Sequence, residues 1–107
     1  MTYLVWLIFV AAALLEAGGD AVVRSGLRGA RPSLIVIGCL MLGAYGVAVN
    51  TVRWDFSRLL GVYVACFAVV SVCWGRFVFH EQVPPVIWGG LGLIVAGGLL
   101  IQFGPKL

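Results

Sequence analysis

Long apolar stretches separated by short charged ones organise the chain. Residues 1–15 carry no charge, and a helical pattern continues to about Val23 with Glu16 and Asp20 inside it. Residues 32–52, 59–75 and 82–105 contain no Asp, Glu, Lys or Arg. A helix needs about 20 mostly apolar residues to cross a hydrocarbon core of roughly 30 Å. The pattern predicts an all-α integral membrane protein with four transmembrane helices, at about 3–23, 33–52, 59–79 and 85–103. The third uncharged run is short, but Arg76 can snorkel and let Phe77, Val78 and Phe79 complete the span.

The connections carry turn chemistry. Residues 24–33 run through Gly26 and Gly29 into Pro32-Ser33, which ends one helix and starts the next. Residues 53–58 place Trp54 and Phe56 among charges, as an interfacial loop does. His80-Glu81-Gln82-Val83-Pro84-Pro85 closes the third helix and opens the fourth. No linker or low-complexity tract interrupts residues 1–107, which read as a single four-helix membrane domain.

Composition narrows the class further. Of 107 residues, 63% are hydrophobic and 10% charged, with a mean hydropathy of +1.12. Soluble domains carry about 25% charged residues, so a water-facing surface cannot be covered. No Lys or Arg precedes the first apolar run, which argues against a cleaved signal peptide, although Ala11-Ala12-Ala13 imitates a cleavage site. Cys39, Cys66 and Cys73 all fall within predicted spans and lack ligand spacing, so they read as free packing thiols. Arg53, Arg58 and Lys106 fall on one side of a four-span topology, and Arg24, Arg28, Arg31 and Arg76 on the other. Orientation follows an imbalance of positive charge; three against four is close to balance and allows insertion either way round.

Glu16 is the centre of the chemistry. A charge at mid-helix costs about 2.5–3.5 kcal/mol even on the permissive insertion scale. Such a residue belongs in a polar cavity or a protein interior, where the low dielectric favours the neutral carboxyl and a proton can be exchanged for a cation. The plainer alternative is a boundary residue snorkelling to the interface. Asp20 and Arg24 follow at four-residue intervals on the same helical stripe. They form either an ion pair near the surface or, for Asp20, a second cavity acid with Arg24 as charge partner. Tyr45 and Tyr63 can line a cavity and meet a cation through the ring face, or simply pack. Trp6, Trp54, Trp74 and Trp88 suit belt or packing positions, and Trp74 can also face inward. His80, beside Glu81 at a helix end, reads as structural.

Enzymatic chemistry finds no support, with no metal-ligand spacing, no phosphate-binding glycine loop and no nucleophile with a base. The +3 net charge is explained by arginines meeting anionic headgroups and does not describe a nucleic-acid surface. Gly90 and Gly97 lie about two turns apart on one face of the fourth helix. Small residues there let helices approach closely, within one protomer or between two.

Glu16, Arg24, Gly26-Leu27 and Pro32-Ser33 resemble the small multidrug resistance family, in which a first-helix Glu precedes a basic residue and a Gly-containing turn into Pro-Ser. Trp74-Gly75, His80-Glu81, Pro85, Trp88, Gly90, Leu93-Ile94 and Gly97 resemble the wider drug/metabolite transporter superfamily. The resemblance covers essentially the whole chain. It implies an antiparallel, dual-topology homodimer with Glu16 of each protomer at a shared site, alternating access, and competition between protons and a small organic cation. Gly90 and Gly97 would then form the dimer contact. There are two departures. The family's third-helix Trp is missing from Gly61-Val62-Tyr63-Val64-Ala65, and Asp20 is additional, so substrate identity does not transfer. The second half also resembles the small four-helix subunits that flip polyprenyl-phosphate-linked aminosugars, for which Arg24, Arg28 and Arg76 would meet the phosphate. An accessory subunit of a heterodimer with a paralogue is a third alternative. The expectation is a proton-coupled cation exporter of the bacterial-type inner membrane. Its site residues are Glu16, Asp20, Tyr45 and Tyr63, with no metal or cofactor beyond the proton gradient.

Overall fold

The computed structural model describes residues 2–104; Lys106, counted above for topology, lies outside them. The elements are α1 (Thr2–Arg28), α2 (Pro32–Asn50), α3 (Phe56–Phe77) and α4 (Pro85–Phe103). All four are long and apolar enough to cross a membrane. They group into two compact units, Met1–Val52 and Arg53–Leu107, each a helical hairpin.

In the first hairpin, α1 and α2 meet through glycines. A Cβ at Gly38 would lie 2.8 Å from the Gly19 carbonyl oxygen and 2.9 Å from the Val23 amide nitrogen. A Cβ at Gly26 would lie 2.9 Å from the Ile35 amide nitrogen. The two backbones are therefore in direct contact at two levels. Lipid tails are as apolar as leucine, so helices in a bilayer associate through such close packing rather than through hydrophobic exclusion. The contacts set an antiparallel register in which Gly19 faces Gly38 and Leu42.

Helix α1 runs five residues beyond the expected end at Val23. Gly26 does not break it because that glycine serves the contact with Ile35. The helix stops where the Gly29 amide donates to the Ser25 carbonyl at 2.9 Å and the Arg31 amide to the Gly26 carbonyl at 2.8 Å. Between them Ala30 takes a left-handed φ of 52°, a closure in which glycine is usual. Pro32 then opens α2 at a position where its missing N–H costs nothing. At the far end of α2, Asn50 Nδ2 donates to the Gly46 carbonyl (2.7 Å) and Thr51 Oγ1 to the Ala48 carbonyl (2.6 Å). These side chains satisfy carbonyls that a helix end leaves unpaired.

In the second hairpin, α3 begins at Phe56 and ends at Phe77, earlier at both ends than the expected 59–79. Part of the presumed interfacial loop is thus helical, and Val78–Phe79 belong to the following turn. A Cβ at Gly98 would lie 2.6 Å from the Ala65 Cβ, and one at Gly61 would lie 2.7 Å from the Ile101 Cδ1. Near the start of α3, the Arg58 guanidinium stands 4.0 Å from the centre of the Trp54 ring. Its Nη2 donates to Gln102 Oε1 at 3.0 Å, tying the start of α3 to the end of α4. Exposed apolar side chains on α4, such as Val86 and Leu93, suit a helix whose solvent is lipid.

Candidate functional site

Glu16 sits about 21 Å along α1 from its N-terminal end at 1.5 Å per residue, well within the span. Around it Ala12, Ala13, Ala17, Gly18 and Gly19 are buried, while Glu16 itself is half-buried. Of these, Gly19 is the one whose missing side chain leaves room for the α2 backbone at Gly38. The carboxylate is thus set beside a closely packed helix pair.

Tyr45 comes from α2 and is half-buried. Its phenol lies in the field of two carboxylates, Glu16 more strongly than Asp20. The antiparallel register explains the meeting. With Gly19 against Gly38 and Leu42, a residue one turn earlier on α1 faces a residue about one turn later on α2. Asp20 is exposed, and Arg24, one turn beyond, is exposed near the end of α1. The first hairpin therefore brings together three of the four residues expected at the site: Glu16, Asp20 and Tyr45.

Tyr63 belongs to the second hairpin. It is buried, and its ring stacks on Phe67 with centroids 6.4 Å apart and planes inclined by 26°. Trp74, also in this hairpin, has a buried indole Nε1 with no hydrogen-bond partner among the described residues. Gly90 and Gly97 do not serve packing among the described residues of the second hairpin, since a Cβ at either would meet nothing within 4 Å. Gly98, one residue from Gly97, is the glycine that packs against α3. Among the described residues no group of three or more His, Cys, Asp or Glu side chains could hold a metal ion.

Sequence reasoning missed the Gly19–Gly38 contact and the seating of the Glu81 carboxylate against Gly75. Two glycines in the interiors of apolar helices signalled the first. Nothing in the local pattern signalled the second, which depends on the shape of a turn.

Residues 2–107 match the family described as uncharacterised, YnfA/UPF0060. The chain belongs to the YnfA/UPF0060 family. A UPF0060 membrane protein of Mycolicibacterium gilvum is 38% identical over 104 residues, covering 94% of each chain. The UPF0060 membrane protein YfjF of Bacillus subtilis is 32% identical over 102 residues, again covering 94% of each. The UPF0060 membrane protein SCO3297 of Streptomyces coelicolor is 39% identical over 103 residues, covering 92% of this chain and 90% of its own. No solved structure matches. Four spanning helices in a YnfA/UPF0060 chain make this a multi-pass protein of the bacterial inner membrane.

Proposed function

We propose that this YnfA/UPF0060 protein is a proton-coupled exporter of small organic cations. The observation that carries the reading is the placement of Glu16, a half-buried carboxyl deep in α1 with the Tyr45 hydroxyl of α2 in its field. An intramembrane carboxyl is costly to keep. It is useful where a proton and a cation bind alternately at one place, because each neutralises the same carboxylate. Tyr45 offers a hydroxyl for hydrogen bonding and a ring face for a cation, while Asp20 adds a second negative charge toward the exposed side. In this reading Arg24, one turn beyond Asp20, adjusts the charge of the site.

Two chains act together in this proposal, antiparallel and in dual topology, so that each contributes one Glu16. The near-balanced positive charges, three against four, support either orientation, and the open faces of Gly90 and Gly97 support a close contact between two α4 helices. The resemblance to the small multidrug resistance pattern supports the same arrangement. Proton release on substrate binding tests the exchange directly. A quaternary ammonium, a guanidinium-type ion and a polyamine would be titrated into lightly buffered detergent-solubilised protein, wild type beside Glu16→Gln. Release of protons from wild type and none from the variant is expected. Cation binding without proton release, or equal release from both proteins, would refute the exchange. No binding of any of the three would favour a flippase for polyprenyl-phosphate-linked sugars or an accessory subunit.

A further inference from the structure

The turn between α3 and α4 is held by more than its backbone. Beyond Phe77 the chain doubles back. The Val78 and Phe79 amides both donate to the Trp74 carbonyl, at 2.8 and 3.2 Å, and the Glu81 amide donates to the Gly75 carbonyl at 3.0 Å. The Val78 bond continues the helical ladder, whereas the Phe79 and Glu81 bonds to end carbonyls of α3 exist only while the turn stays folded. The reversal occurs at His80, with a φ of 56°; histidine enters the left-handed region more readily than most residues with side chains.

The Glu81 side chain then returns to the same glycine its amide has reached. Its Oε1 occupies the place where a Cβ at position 75 would stand. Gly75 is buried although it lies only two residues from the end of α3, whereas Arg76, His80 and Glu81 are exposed. Arg76 directs its guanidinium over the Phe77 ring, 5.6 Å from the centroid. Glycine inside a helix weakens it, and here that position provides the seat for a carboxylate.

We propose that Glu81 and Gly75 form a latch. The carboxylate seated on Gly75 shields the turn's hydrogen bonds from water, keeps the turn closed against the end of α3, and so fixes where α4 begins. Because Glu81 is exposed, it can leave the seat without unfolding α3, and the turn then opens about His80. The latch does not depend on what the protein transports.

Amide hydrogen exchange tests it in the full-length protein reconstituted in lipid nanodiscs, resolved to the Phe79 and Glu81 amides, with α1 and α2 amides as the reference. Gly75→Ala leaves no seat and should speed exchange of the turn amides by roughly tenfold or more. Glu81→Ala should speed them as well. Gly75→Ala should then add nothing in the Glu81→Ala background, because no carboxylate remains to be displaced. If Gly75→Ala alone folds poorly, adding Glu81→Ala should rescue it. Unchanged exchange in Gly75→Ala, equal acceleration in both backgrounds, or failure of the rescue would each overturn the latch.

Discussion

Gly38 is where a single methyl group should test the architecture of the first hairpin. A Cβ there would lie 2.5 Å from Val23 Cγ2, 2.8 Å from the Gly19 carbonyl oxygen and 2.9 Å from the Val23 amide nitrogen, whereas ordinary contact begins at 3.4 Å. The Val23 methyl can rotate, but the two backbone atoms cannot. Relief therefore requires α1 and α2 to part by about 0.6 Å, and gaps of about 0.5–1 Å forfeit a quarter to a half of each dispersion contact along the seam. Overpacking of this kind costs about 1–3 kcal/mol. Alanine's better helix propensity returns about 0.5–1 kcal/mol, which, taking the middle of each range, leaves Gly38→Ala destabilised by about 1 kcal/mol. Gly43 lies on the same helix, and a Cβ there would meet nothing within 4 Å. Gly43→Ala should therefore be neutral or gain up to about 1 kcal/mol. Equilibrium unfolding in mixed micelles, followed by tryptophan fluorescence, measures both. A Gly38→Ala protein as stable as wild type, or a Gly43→Ala protein that falls equally far, would refute the glycine seam. Because parting the helices also moves Tyr45 away from Glu16, Gly38→Ala should weaken cation binding as well as stability.

Other consequences are equally specific. Ala30 holds a φ of 52°, a region that costs a non-glycine residue about 1–2 kcal/mol; Ala30→Gly should be stabilising by about 0.5–1 kcal/mol after its chain-entropy cost, read as a raised unfolding midpoint. Gly98→Ala should be destabilising because the new methyl meets the Ala65 Cβ at 2.6 Å, and adding Ala65→Gly should restore most of the loss. The same unfolding assay on the two single variants and the double variant checks this exchange. Dual topology predicts that reporter fusions at Leu107 give signal on both sides of the membrane, and signal on one side alone would exclude it.

The four spans were legible because charge is expensive in hydrocarbon, so the positions of Asp, Glu, Lys and Arg mark where the chain can emerge. The limits of α4, residues 85–103, were fully legible from Pro84-Pro85 and the apolar run after it. The end of α1 was not. Gly26 resembles a helix breaker, but tertiary contact with Ile35 keeps it helical, and the true stop uses Ala30 in a conformation that local composition favours for glycine. The start of α3 was hidden for a related reason: Phe56-Ser57-Arg58 is polar and aromatic enough for an interfacial loop, yet Arg58 is held in place by Trp54 and Gln102.

The site divides in the same way. Glu16 becomes a candidate from its desolvation cost alone. That Tyr45 faces it depended on the hairpin register, which glycine contacts between distant residues set. The spacing of Gly90 and Gly97 revealed a shared face but not what it meets, and the contact with α3 is made by Gly98 instead. The seat of Glu81 on Gly75 required the turn geometry at His80, for which no sequence period exists.

Transport by the purified protein in proteoliposomes under an imposed pH gradient tests the central claim most directly, with wild type beside Glu16→Gln and the same three classes of cation. The account predicts uptake that follows the direction and size of the gradient and vanishes in the variant, while the variant retains wild-type unfolding behaviour. Uptake that ignores the gradient, or persists undiminished in Glu16→Gln, would contradict it.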